Sequence, residues 1–206
     1  MSISYFKLIL IWFLYLGSHS LFAANRFKSW VAGFMGDAYR YYRLIYVIYS
    51  TVALAAIGIY LSWLWTVWLY PVNIISAASG MVLISWGFSL GEQSFKTYRL
   101  DEFLGVAYIK EGIKFRDILK TSGLLARVRH PLYTATLMIV IGFLLALPAV
   151  ANLISVVCIV IYLFIGIGLE EKKLISEYGD NYREYRRSVP MLFPKIRLIR
   201  NRYPKA

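Results

Sequence analysis

Residues 129–171 read RHPLYTATLMIVIGFLLALPAVANLISVVCIVIYLFIGIGLEE, from Arg129 to Glu171. Two apolar runs, 132–147 and 149–169, meet at Pro148, and polar clusters bound their far ends. A bilayer core needs about 20 apolar residues at 1.5 Å rise each. The second run meets that length. The first is slightly short, but Pro131 suits the first position of a helix and Pro148 closes its end. A chain that crosses a membrane and comes straight back returns its ends to one face. Arg129-His130-Pro131-Leu132-Tyr133 and Glu170-Glu171 are therefore expected to meet at the mouth of a hairpin.

Working outward, three more apolar runs occupy 3–24, 44–68 and 72–91. The chain is 59% hydrophobic with a mean hydropathy of +0.58, values of a polytopic membrane protein. The expected fold is all-α: a single membrane-embedded unit over 1–206, with five transmembrane helices and a cytoplasmic amphipathic C-terminal helix. Lys and Arg orient it. Four lie between the first two runs, eight from Lys96 to Arg129 and ten after Glu171, whereas the turns at Pro71 and Pro148 carry none. The positive-inside rule then places the N-terminus outside and the C-terminus in the cytoplasm.

In such a protein a net charge of +12 reads as topology and attraction to anionic head groups, not as nucleic-acid binding. Cys158 stands alone in an apolar run and reads as a packing residue. Leu21 and Phe22 are too large for a signal-peptidase site before Ala23 or Ala24, so the first run is expected to stay. Trp63, Trp65, Trp68 and Tyr70 form an outer aromatic belt, with Tyr39, Tyr41 and Tyr42 on the cytoplasmic side. His19 falls in the last turns of the first run and reads as a neutral ring hydrogen-bonded to a neighbouring helix. The connection 92–128 reads as partly helical and interfacial. After Leu169, Leu174, Tyr178, Tyr182 and Tyr185 recur at spacings of four and three, an amphipathic helix able to lie over the hairpin mouth. Gly179 and Asp180 are expected to interrupt it, as C-cap and N-cap.

The mouth gathers three properties. The start of a helix at Pro131 offers unpaired N–H groups and positive dipole potential to an anion. Glu170 and Glu171 can hold a cation or accept from ribose hydroxyls. Tyr133, Tyr182 and Tyr185 supply aromatic faces for a planar base or an onium centre. Lys172, Lys173, Arg186 and Arg187 read instead as head-group-facing surface. No metal-ligand spacing, phosphate loop or nucleophile elbow competes, so no metal is expected.

Arg-His-Pro-x-Tyr, then Glu-Glu about forty residues on, then Tyr-Gly-x-x-Tyr-x-x-Tyr and Val-Pro, resembles the isoprenylcysteine carboxyl methyltransferase and phospholipid methyltransferase superfamily. The resemblance covers roughly 121–194. His19-Ser20, 40–46, 100–105 and 189–194 look like its methanethiol S-methyltransferase and NnrU-like branch. The resemblance implies S-adenosylmethionine as cofactor, in a site within about 110–194. It would be lined by Lys110, Asp117, Ile118, Leu119, Lys120, Leu125, Arg129, His130, Pro131, Leu132, Tyr133, Glu170, Glu171, Tyr182 and Tyr185. Leu125 replaces an aromatic residue common in that position. Gly166 stands where the carboxyl methyltransferases place an arginine for the substrate carboxylate.

The expected function is therefore methyl transfer to a small thiol or lipid-like acceptor in the bilayer. Such a reaction needs alignment of nucleophile, methyl and leaving sulfur, which can supply about 7–11 kcal/mol. His130 and Glu170 are candidates to accept a proton, and no residue stands out as a general base. The competing readings are a prenylcysteine-type carboxyl methyltransferase, a membrane reductase of similar helical architecture and a non-enzymatic membrane protein.

Overall fold

The computed structural model describes residues 3–97 and 119–194, together with the helical positions Leu104, Val106 and Ile109. Among these, regular structure is helical. The order is α1 (Ile3–Ala23), α2 (Asn25–Met35), a 3-10 turn (Gly36–Tyr41), α3 (Tyr42–Trp63), α4 (Ile74–Thr97), a second 3-10 turn (Gly123–Ala126), α5 (Pro131–Ala146), α6 (Val150–Tyr178) and α7 (Asp180–Ser188). Hydrocarbon cannot satisfy backbone N–H and C=O groups, and helices pair them within each segment. Four stretches are long and apolar enough to cross a membrane: Ile3–Ala23, Asn25–Trp63, Ile74–Lys96 and Val150–Tyr178. α5 is a shorter apolar helix of 16 residues. Phe13, Phe34 and Ile74 stand 73%, 86% and 82% exposed. Apolar side chains turned outward on this scale suit a lipid environment, not water, and the chain is an integral membrane protein.

Contacts fix the direction of each helix. Leu8, Trp12 and Ala151 share one core cluster, the Trp12 indole N–H donates to Ser155 at 2.9 Å, and His19 reaches Tyr162, so α1 and α6 run parallel. Tyr60 donates to the Ser4 carbonyl and Tyr42 to that of Phe22, so α3 runs against α1. α4 and α5 pack antiparallel through small residues. A Cβ added at Gly80 would lie 2.5 Å from the Gly142 carbonyl, and one at Gly87 would lie 2.9 Å from the Ala135 carbonyl. Without a hydrophobic drive between helices in lipid, such close backbone approach is what holds a pair.

Two elements end away from where the sequence puts them. The second apolar run was expected to continue to Trp68, but α3 stops at Trp63. The reason is pairing with the hairpin tip: Leu69 N–H donates to the Pro148 carbonyl at 2.7 Å and Val150 N–H to that of Val67 at 3.0 Å. Trp65 adds an indole hydrogen bond to Asn152, whose amide in turn caps the Leu147 carbonyl. α6 runs on past Leu169 to Tyr178, carrying Glu170 and Glu171 on a continuous helix. Gly179, at φ 57°, closes it. The expected cap at Asp180 is displaced by one residue: Gly179 occupies the cap and Asp180 pairs with Arg183 at 2.7 Å.

The tail is fastened back onto the hairpin. Arg129 and His130 donate their backbone N–H groups to the carbonyls of Pro190 and Met191 at 2.9 and 3.1 Å. The Thr134 hydroxyl donates to Leu192 at 2.7 Å, and the Leu192 side chain is buried against Leu137, Leu163 and Ile167. Glu171 lies under this strap. Its carboxylate sits 3.0 Å from the Arg129 guanidinium, 3.2 Å from His130 Nε2 and 3.2 Å from Arg186 Nε. Arg186 is half exposed, as expected of a surface residue, and from there it closes the clamp on the buried Glu171.

Two consequences are measurable. Gly142→Val drives side-chain atoms into the α4 backbone, and overpacking of this kind costs about 1–3 kcal/mol; thermal unfolding in detergent should show the loss. Glu171→Gln leaves Arg129, itself 8% exposed, without its counter-charge. Breaking a buried pair on one side costs about 3–5 kcal/mol. Limited proteolysis should then cut within 180–194, whereas wild type resists; equal resistance would refute the clamp.

Candidate active site

Beside the clamp, the start of α5 and the last intramembrane turns of α6 face each other. The Tyr133 phenol and the Glu170 carboxylate interact across this gap. Glu170 and Glu171 are neighbours in sequence, yet a helix turns them about 100° apart. Glu171 is 8% exposed and engaged on both oxygens, while the Glu170 side chain is 43% exposed. Its Oε2 lies 3.9 Å from His130 Nδ1. His130 therefore stands between the two carboxylates, and its ring meets Tyr133 edge-on at 5.5 Å between centroids. The first turn of α5 leaves its N–H groups without intrahelical acceptors and presents its positive dipole end here.

Of the residues the sequence nominates, Arg129, His130, Pro131, Tyr133, Glu170, Glu171 and Tyr182 converge on this mouth. Tyr182 is 1% exposed, and burial beside Glu171 pushes its phenol well above the ordinary range, so it stays neutral. Among the described residues its buried hydroxyl has no hydrogen-bond partner. Tyr185 is pushed up to about 12 by burial, partly offset by Arg129, and donates to the Leu125 carbonyl at 2.6 Å. Leu125 is itself buried and acts through its backbone, anchoring α7. Leu132 is half-buried in the first turn of α5. Leu119 and Lys120 belong to an extended approach to the second 3-10 turn. Lys110, Asp117 and Ile118 lie outside the described residues.

An open groove of about 830 Å³ runs between that approach and α7, with Leu119, Thr121, Asn181 and Tyr185 among its walls. Neither His130, Tyr133 nor Glu170 lines it. Volume alone would favour the groove. The chemistry favours the mouth, where an accessible carboxylate, an imidazole and a phenol converge.

The sequence reading passes over one group of residues. His19 Nδ1 lies 2.9 Å from the Tyr162 hydroxyl and His19 Nε2 lies 2.8 Å from that of Tyr46. His19 is read correctly as bonded to a neighbouring helix, but its two tyrosine partners are not singled out. Their signal was spacing: Tyr162, Gly166 and Glu170 fall four residues apart on one face of α6. A Cβ added at Gly166 would sit 3.5 Å from the Tyr133 hydroxyl, in ordinary contact, so the missing side chain leaves a gap of about one methyl group under the phenol.

Residues 74–181, from α4 to the start of α7, match the phospholipid methyltransferase family. The chain is 30% identical over 205 residues to methanethiol S-methyltransferase 1 of Bradyrhizobium diazoefficiens, covering 93% of this chain and 67% of that one. It is 30% identical over 193 residues to the methanethiol S-methyltransferase of Crocosphaera subtropica, covering 86% and 70%. Against the methanethiol S-methyltransferase of Mycobacterium tuberculosis the identity is 29% over 189 residues, covering 85% and 72%. No solved structure matches the chain. The family match takes in both carboxylates, Tyr133 and the helix pair that positions them, and relatives of one kind align over most of the length. The chain belongs to the phospholipid methyltransferase family and is a membrane methyltransferase.

Proposed function

We propose that this protein methylates a small thiol with S-adenosylmethionine, bound from the cytoplasmic side at the mouth of the α5–α6 hairpin. The observation that carries the reading is the pairing of Tyr133 with a Glu170 left partly open, beside His130. When bound, the cofactor supplies a methyl group on a sulfonium, already activated for displacement. The mouth fits its charges. Glu170 faces a cation, the start of α5 favours a carboxylate, and Tyr133 offers a π-face to an onium centre. Arg129 and Glu171 stand behind them as a fixed wall, which is the kind of support that alignment demands. Lys110 and the segment 117–120 complete the site in this reading.

Two features favour a thiol. The relatives aligned above are named for methanethiol, and Gly166 brings no cation for a substrate carboxylate. We also propose that α5 crosses the membrane alongside α4, giving five spans with the N-terminus outside. The alternating helix directions support it, and the basic connections then fall on the cytoplasmic side.

In detergent, wild type should bind S-adenosylhomocysteine, and Glu170→Gln should weaken binding about tenfold or more, the worth of a hydrogen bond to a charged group. Its thermal stability should stay near wild type, because Glu170 is outside the clamp. Binding that survives the change would move the cofactor elsewhere. With a labelled methyl donor, short alkyl thiols should yield a labelled thioether. Label appearing in phospholipid instead would overturn the thiol reading.

A further inference from the structure

We infer that the space beside Gly166 is the acceptor subsite, and that His19 receives the thiol proton through the Tyr46 or Tyr162 hydroxyl. The inference rests on the thiol reading above and deepens it. Its starting point is a cluster of polar side chains in an apolar bundle, which has no role in holding the cofactor. An ionisable residue inside a membrane-spanning helix is expensive to keep and marks function by default.

Four helices supply the subsite. His19 comes from α1, Tyr46 from α3, Tyr133 from α5, and Tyr162 with Gly166 from α6. Tyr162, Gly166 and Glu170 share one helix face at four-residue intervals, so the gap at Gly166 lies between a hydroxyl bonded to His19 and the carboxylate proposed to hold the cofactor. Tyr133 roofs that gap, with its hydroxyl 3.5 Å from a Cβ built at Gly166. All four rings are half-buried, leaving a route in for a small molecule.

The proton has a defined path. Both nitrogens of His19 face tyrosine hydroxyls, at 2.9 and 2.8 Å. In a neutral imidazole one nitrogen donates and the other accepts. A thiol placed against the tyrosine on the accepting side gives its proton to that hydroxyl oxygen as the hydroxyl proton moves to His19. The sulfur lone pair forms the new carbon–sulfur bond while the donor's methyl–sulfonium bond breaks and its pair returns to the donor sulfur. A neutral thiol and a sulfonium become two thioethers, and the positive charge ends on the imidazole. Charged and titratable groups facing His19 are Tyr15 on its own helix, Tyr46 on α3 and Tyr162 on α6; Tyr133 and Glu170 lie beyond them. A neutral alkyl thiol gains from such a base, whereas an acidic aryl thiol, already ionised at neutral pH, does not.

That contrast is the test. His19→Gln keeps side-chain groups able to bond both tyrosines but cannot take up a proton. With a short alkyl thiol, kcat/KM should fall about 100-fold, the usual worth of a positioned base. With an acidic aryl thiol the loss should be less than about threefold on the same basis, and S-adenosylhomocysteine affinity should match wild type. Equal losses with both thiols, or no loss with either, overturn the inference. Should His19→Gln lose the fold, seen as lost S-adenosylhomocysteine binding, the double change Tyr46→Phe with Tyr162→Phe cuts the relay and reads the same contrast. Gly166→Leu should abolish methylation of the alkyl thiol with cofactor binding kept, and undiminished turnover there would remove the subsite. Wild type that binds no cofactor or methylates no thiol would instead strike the underlying function.

Discussion

Glu171 is a carboxylate buried between two arginines and a histidine, and it holds the functional end of the molecule in place. A lone charge at that depth is costly, and one on which three donors from two separate segments converge can be kept only if all of them arrive together. Arg129 and His130 come from the entry to α5, Arg186 from α7, and Glu171 itself from α6. The clamp therefore closes the hairpin mouth and ties down the tail in one step. Everything proposed for the site uses groups set by it: His130 is bonded on one side to Glu171 and so turns its other nitrogen toward Glu170.

The bundle divides its work between two kinds of contact. On one side α4 and α5 meet backbone to backbone through Gly80, Gly87, Ala135 and Gly142, a dry seam of small residues. On the other, α1, α3 and α6 meet through hydroxyls, indoles and an imidazole: Trp12 to Ser155, Tyr42 to Phe22, His19 to two tyrosines. Polar contacts in lipid give direction as well as attraction, since each donor needs its own acceptor.

Much of this was legible in the chain. Apolar length found the helices and the hairpin, because the cost of an unpaired backbone in lipid leaves few alternatives. Arg129-His130-Pro131 and Glu170-Glu171 were correctly brought to one mouth. Glu170 was singled out as a proton-accepting candidate, but the burial of Glu171 was not legible, since pairing in sequence says nothing about which face of α6 meets α7. Arg186 is on the surface as read, but its ion pair was not legible, because Glu171 is fifteen residues away across a turn whose angle Gly179 decides. Trp68 was assigned to a helix because its apolar neighbours outweighed a pairing with Pro148 that no local pattern signals.

Gly166 shows what composition cannot supply. In the sequence it is a missing arginine, a negative feature that argues against a carboxylate substrate. In the bundle it is a methyl-sized gap against Tyr133, with Tyr162 and Glu170 one turn to either side on the same helix. An arginine there would overrun the gap and add a charge; an alanine would fill it and make ordinary contact with the phenol. In the proposed reading, one position then governs both acceptor size and acceptor charge. A family with a common cofactor site could change its substrate by altering that residue, while the clamp at Glu171 and the seam at Gly142 stay as they are.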